Sequence, residues 1–336
     1  MAIDPWANCH FTIGPKVRCT LETCCLAQSP FLYIPSWGGN LFFTIYFAVF
    51  CIPQLWLGIR YRQTGFAIGM LIGLILEAGG YTGRLILHND PFNSNGFLIY
   101  LICLTIAPVF ISASIYLSIV RIIGLYGQHL SYFKPRTVAL VFMTSDFISL
   151  VLQAGGGAIA DTSVGTAKLT GINIMIAGLF LQAVSLSVFL LFLAYFAMKC
   201  RGNSLDMDPA KIACRNRGLF KVFLFSLVID TVAILVRSIF RVAELWEGFA
   251  GELWNNEKDF MVLDGGMMSL AVLLLTVFHP GPAFGEQWHA TKWSFKSVPH
   301  QEPKLSRKSK HRRRRSSHSQ RQNLVASVEL TTLRVS

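Results

Sequence analysis

Three carboxylates, Glu77, Asp146 and Asp230, each fall near the middle of a long apolar stretch, and Arg84, Arg237, Arg241, Glu244 and Asp264 fall nearer the ends of such stretches. An ionisable side chain at membrane depth costs about 2.5 to 3.5 kcal/mol on insertion scales, so each needs a partner or a task. Two kinds of task are open to the carboxylates: holding an ammonium group and exchanging a proton. The spacings are helical. Glu77 and Arg84 are seven residues apart, about 20° around a helix, on a face they share with Gly73 and Gly80. Asp146 and Gln153 repeat that spacing, and Asp230, Arg237, Arg241 and Glu244 follow one another at seven, four and three residues, all within reach on one helix side. Gln182 sits near the middle of a further apolar stretch. By depth, Glu77, Asp146 and Asp230 form an acidic layer at mid-membrane, and the remaining charges form a mixed layer toward one side. The other reading of the same residues is interhelical ion pairing, with Arg84 or Arg237 neutralising the nearby carboxylates.

The elements that would position these groups are transmembrane helices. Hydrophobic residues make up 53% of the 336 residues and charged residues 14%, too few to give a soluble protein of this length a polar surface. The apolar blocks run over Ser36 to Gly58, Phe66 to Leu87, Gly96 to Ile123, Thr137 to Ala160, Leu169 to Met198, Leu219 to Val242 and Phe260 to Pro280. Each is long enough to cross a hydrocarbon core about 30 Å thick. The expected fold is therefore an all-α integral membrane bundle of seven helices. Lys and Arg concentrate in the first, third and fifth loops (Arg60, Arg62; Lys134, Arg136; Lys199, Arg201, Lys211, Arg215, Arg217, Lys221), while the even loops hold Asp90, Asp161, Lys168 and an acidic set. Cytoplasmic loops are the basic ones, which places the N terminus outside and the C terminus inside. Three regions follow: an extracellular cysteine-bearing segment over residues 1–35, a membrane domain over 36–281, and a basic, disordered cytoplasmic tail over 282–336. Within the second block, Gly65, Gly69 and Gly73, and again Gly79 and Gly83, recur every four residues, the pattern of helices packed backbone to backbone. Pro108 removes a backbone hydrogen bond in the third, and Gly155 to Gly157 should loosen the end of the fourth.

The formal charge of +12 belongs to this topology rather than to nucleic-acid binding. Its densest part, Arg307, Lys308, Lys310 and Arg312 to Arg315, suits anionic cytoplasmic lipid at about 1 kcal/mol per charge. Cys9, Cys19, Cys24 and Cys25 lie in the outer segment, where oxidation is permitted, and one or two disulfides are expected among them with the pairing open. No metal-ligand spacing and no clustered histidines are present, so neither a zinc site nor a membrane hydrolase is indicated. No phosphate-binding G-x-x-x-x-G-K-[ST] loop occurs, and no cofactor is implied. The third helix ends in Val120-Arg121-Ile122 and the seventh has no Asn-Pro-x-x-Tyr, which sets the chain apart from rhodopsin-like receptors.

Several of these residues fall in ordered motifs: Glu77-Ala-Gly-Gly80-Tyr81-Thr-Gly-Arg84, then Ala107-Pro108 with Ala113, Tyr116 and Arg121, then Asp146 with Gln153, Gly156 and Gly157. Gly171, Gly178 and Gln182 follow, then Arg237-Ser-Ile-Phe240-Arg241 with Glu244, Gly248 and Gly251, and finally Glu257, Asp264 and His279-Pro280-Gly281. In this order and at these helices the chain resembles the fungal RTA-like family, the resistance-to-aminocholesterol or lipid-translocating exporter proteins, over about residues 40 to 281. It departs from that pattern at Met261, where an aromatic residue is usual. The resemblance implies a plasma-membrane protein that moves, or confers resistance to, amphiphiles such as sphingoid long-chain bases and amino-sterols, along a path in which Tyr81 joins the polar residues above. Residue chemistry and resemblance agree on a cationic head passing Asp230, Asp146 and Glu77 while the tail stays in lipid. A seven-helix lipid or stress sensor that signals without transport is the alternative. The oligomeric state is not legible.

Overall fold

The computed structural model describes residues 24–126, 135–162, 165–202, 217–248 and 251–285. The chain divides into two compact units, Met1–Lys292 and Trp293–Ser336; the second lies wholly outside the described residues, as do Cys9, Cys19, Lys134 and the arginine run of the tail. All regular structure among the described residues is helical. The helices are α1 (Trp37–Arg60), α2 (Thr64–Asn89), α3 (Ser94–Tyr126), α4 (Pro135–Thr162), α5 (Thr166–Gly202) and α6 (Gly218–Trp246). The last span is composite: α7 (Glu257–Phe260), a π-helical segment (Met261–Gly266) and α8 (Met267–Val277), followed by a short α9 (Pro280–Phe284). Seven spans are long and apolar enough to cross a membrane, which makes this a multi-pass membrane protein, as the seven apolar blocks require.

Short turns join α1 to α2 and α2 to α3, so these neighbours in sequence pack antiparallel. Between α1 and α2 the chain reverses at Arg62, with φ of 50°, and the Gln63 N–H closes on the Gly58 carbonyl at 3.1 Å. Asn93 caps α3 through its Oδ1, which accepts the Gly96 N–H at 2.9 Å, one of the donors a helix start leaves unpaired. Alternating direction brings residues 24–36, the α2–α3 and α4–α5 turns and the loop before α7 to one face of the bundle. That face is called the strap face, after residues 24–36.

Apolar side chains point outward along the spans, among them Ile52 and Ile59, each 71% exposed. In water such a surface would aggregate; in lipid it is the expected exterior. Burial ranks the spans: 17% of the apolar window of α1 is buried against 50% for α3, so α3 is central and α1 peripheral.

Lipid gives helices little reason to associate, so close packing must do it. A Cβ added to Gly83 of α2 would lie 2.6 Å from the Tyr100 N and 2.8 Å from the Gly96 carbonyl oxygen of α3. Gly69, Gly73 and Gly80 meet the same helix, and the spacing of glycines in α2 is thereby explained. Gly155 to Gly157 behave otherwise than expected, since α4 runs unbroken through them to Thr162. Gly156 is instead a contact residue: a Cβ there would come within 2.6 Å of the Gly171 carbonyl and the Met175 N of α5. At the far end, His279 both interrupts and restarts the helix. Its Nδ1 accepts the Gly281 N–H at 3.1 Å and caps α9.

Gly155 and Gly156 make a matched pair for testing this packing. Gly156→Ala should lower the melting temperature of the detergent-purified protein, overpacking of this kind costing about 1 to 3 kcal/mol. Gly155→Ala, with nothing within 4 Å of the added carbon, should leave it unchanged or raise it slightly.

Candidate functional site

The polar residues of the bundle sort into ion pairs and unpaired carboxyl groups. Arg237 on α6 joins two other elements. Its Nε lies 2.9 Å from Oδ1 of Asp264 in the π segment, and its second terminal nitrogen donates to the Leu104 carbonyl of α3 at 2.5 Å. Leu104 precedes Pro108 by four residues, so its carbonyl has no helical N–H to accept. The arginine supplies the missing donor. Asp264 also accepts from the Tyr81 hydroxyl at 3.4 Å. Gly265 allows this approach, because a Cβ there would lie 2.6 Å from the Tyr81 oxygen and 2.7 Å from the Phe43 ring.

Arg241, one turn further along α6, pairs with Glu244 at 2.6 Å and donates to the Tyr100 hydroxyl at 3.2 Å. Arg84 stands nearest the strap face and is fully buried. Its Nε donates to Asn40 Oδ1 at 2.9 Å, a terminal nitrogen donates to the Tyr33 hydroxyl at 2.8 Å, and Glu257 lies 3.5 Å away. Four rings surround its guanidinium: Phe260 at 4.1 Å, Tyr100 at 5.1 Å, Phe31 at 5.2 Å and Tyr33 at 5.9 Å, distances at which ring faces attract a cation. Burial pushes the Tyr33 phenol up to about 12 against the pull of Arg84. Tyr33 therefore stays neutral, and Glu257 is the charge that answers Arg84.

Each buried arginine thus has its own carboxylate, and three carboxyl groups are left. Glu77 is fully buried, and neither of its oxygens has a hydrogen-bond donor; it lies in the field of Arg237, Asp264 and Arg241. Asp230 is also fully buried with both oxygens undonated. Asp146 is held on one oxygen by Tyr116 at 2.9 Å and Ser112 at 3.2 Å, its other oxygen having no partner. No hydrogen bond or ion pair among the described residues joins any two of the three, and their surroundings differ. Glu77 sits with the arginines of the mixed layer and Asp146 between α3 and α4. Gln153 and Gln182 do meet, at 3.1 Å, and Gln153 also donates to Ser149 at 3.0 Å, so this pair clamps α4 to α5.

Partners that pattern-reading missed are mostly uncharged. Asn40, Tyr33, Tyr100 and the rings around Arg84 are ordinary residues in an apolar sequence, and only folding reveals them. The Leu104 carbonyl was findable, since Pro108 marks which acceptor four residues earlier loses its donor. Cys24 and Cys25 are buried and disulfide-bonded.

Removing one half of the Arg237–Asp264 pair should be severe. Arg237→Met is expected to destabilise the purified protein by about 3 to 5 kcal/mol, as for other buried pairs broken on one side. Adding Asp264→Asn should recover part of the lost melting temperature, a recovery that independent sites would not show.

The comparisons with known proteins fall in line with this arrangement. A family model described as RTA1 like protein matches residues 70–287, from α2 to just past α9. The sphingoid long-chain base transporter RSB1 of Saccharomyces cerevisiae (strain Lalvin EC1118 / Prise de mousse) is 32% identical over 280 residues, covering 75% of this chain and 70% of the yeast protein. Protein RTA1 of Saccharomyces cerevisiae (strain ATCC 204508 / S288c) is 28% identical over 273 residues, covering 74% of this chain and 84% of its own length. Protoporphyrin uptake protein 1 of the same strain is 28% identical over 239 residues, covering 70% and 74%. No solved structure matches. The family match takes in α2 through α9, and with it every ion pair described above, so the chain belongs to the RTA1-like family.

Proposed function

We propose that this protein translocates cationic amphiphiles, of the class of sphingoid long-chain bases or amino-sterols, and confers resistance to them by export. One observation carries the reading: after every buried arginine is matched to a carboxylate, Glu77, Asp146 and Asp230 remain as buried carboxyl groups outside those three ion pairs, each with at least one oxygen that no donor meets. Unpaired carboxyls at membrane depth mark substrate or ion pathways more often than structure, and an ammonium head is the complement they would accept. The relative named as a sphingoid long-chain base transporter supports the same class of ligand. Because the three carboxyls occupy separate surroundings, the head moves between discrete stations rather than along a continuous acidic seam. Tyr81, Arg84, Arg237, Arg241, Glu244 and Asp264, together with Gln153 and Gln182, hold the helices that carry those stations.

The basic odd-numbered loops support an N terminus outside and a cytoplasmic C terminus, with the arginine run of the tail against anionic lipid; residence in the plasma membrane is what the resemblance to the RTA-like family implies. On that topology the strap face is external. An epitope fused to the N terminus should be stained on intact cells, and one fused to the C terminus only after permeabilisation; the reverse pattern would overturn the orientation.

Transport tests the function directly. Purified protein in liposomes should move a fluorescent long-chain base, and Glu77→Gln, Asp146→Asn or Asp230→Asn should each slow the initial rate at least about tenfold, equivalent to about 1.4 kcal/mol. Unchanged rates in all three correctly folded variants would sink the proposal.

A further inference from the structure

A cavity of about 640 Å³ opens at the strap face between residues 27–32, the start of α3, the end of α4, the start of α5 and the end of α6. Its size falls in the range of about 300 to 1,000 Å³ typical of small-ligand sites. Leu32, Phe97, Leu101 and Ile172 give it an apolar wall, and its lining contains one carboxylate, Glu247, and one cation, Lys168. Leu169, also in the lining, is 62% exposed in the first turn of α5. The cavity is therefore open at that edge, and Lys168 and Glu247 lie beside helix ends.

The strap forms its roof and is tied down. The Trp254 indole N–H donates to the Pro30 carbonyl at 3.0 Å, and Asn255 Oδ1 accepts the Leu32 N–H at 2.8 Å. Pro30 and Leu32 line the cavity, whereas Phe31 between them is buried and turns the other way. Its ring stacks on Trp254 at 5.5 Å, meets Tyr100 at 5.6 Å and lies 5.2 Å from the Arg84 guanidinium. Phe31 thus stands between the cavity and the buried charges.

We propose that this cavity is the binding site for a long-chain amine such as an amino alcohol, its ammonium against Glu247 and its tail leaving past Leu169, with Phe31 as the partition between that site and the interior. Its ligand class rests on the function proposed above. An apolar wall with a carboxylate at its edge is the complement of a cationic head on an apolar tail.

The test is photolabelling of the full chain in lipid nanodiscs with a long-chain amino alcohol that carries a diazirine in its tail. Adducts are expected on residues 27–32, 94–101 and 165–172, and unlabelled amino alcohol should compete them away. Gly157→Leu projects into the cavity from a glycine whose added Cβ meets only ordinary contacts, and should cut labelling at least about fivefold, close to 1 kcal/mol. Where that variant does not fold, Leu169→Trp at the open edge gives the same reading. Glu247→Gln should weaken labelling by the amine about two- to fivefold, the scale of an exposed ion pair, and leave labelling by its N-acetylated analogue unchanged. Adducts elsewhere, or labelling undiminished in a folded cavity-filling variant, would overturn the site; equal effects of Glu247→Gln on both probes would overturn the head-group assignment. The liposome assay on Glu77, Asp146 and Asp230 fails or succeeds separately, because it reads movement through the interior and not occupancy at the strap face.

Discussion

A charge in hydrocarbon has to be answered by its immediate neighbours, and Arg237 is where this protein meets that requirement most completely. One guanidinium serves an aspartate from the last span and a backbone carbonyl from α3 that a proline has deprived of its donor. Each of these three features would be a liability alone: an arginine in lipid, an aspartate in lipid, a proline inside a central helix. Together they satisfy one another and join α3, α6 and the last span. The arrangement also separates roles. Charges that meet a partner hold helices in place, while Glu77, Asp146 and Asp230 stay outside those pairs.

Arg84 applies the same rule nearer the membrane surface with different means. Its charge is spread over four rings, two neutral oxygens and one carboxylate, contributed by the strap, α1, α3 and α7. The strap residues Phe31 and Tyr33 are held there by the arginine, and so the roof of the cavity at the strap face depends on a side chain from the middle of the bundle's polar cluster. Glu257 reinforces the connection, because its Oε1 also accepts the Ser36 N–H at 2.6 Å.

Much of this was legible from residue order. Long apolar blocks show seven spans because the hydrocarbon thickness sets a length that few soluble helices need. The glycine repeat of α2 marks a packed face because nothing else lets backbones approach so closely. Depth divided the carboxylates as the ion pairs do, with Glu77, Asp146 and Asp230 deep and outside the pairs and Glu244 and Asp264 nearer an end and within them, but it could not say which arginine meets which carboxylate, since the partners come from different helices. The triple glycine of α4 misled for a related reason. In isolation such a run weakens a helix, but against α5 it is the small surface that close contact demands. Partners such as Asn40 and Tyr100 come from distant parts of the chain and carry no periodic signal.

The π-helical turn of the last span has an evolutionary reading. A π segment is what remains when one residue is inserted into an α-helix and accommodated locally instead of being spread along it. Each inserted residue advances the helix by about 100°, so the residues before Met261 and those after Gly266 are out of phase with a simple helical wheel. Glu257 and Phe260 can therefore face Arg84, and Thr276 can face Gln54 of α1 at 2.8 Å, although no single uninterrupted stripe would align both. Helical-wheel reasoning across this span misplaces one half or the other, because the phase changes between Met261 and Gly266.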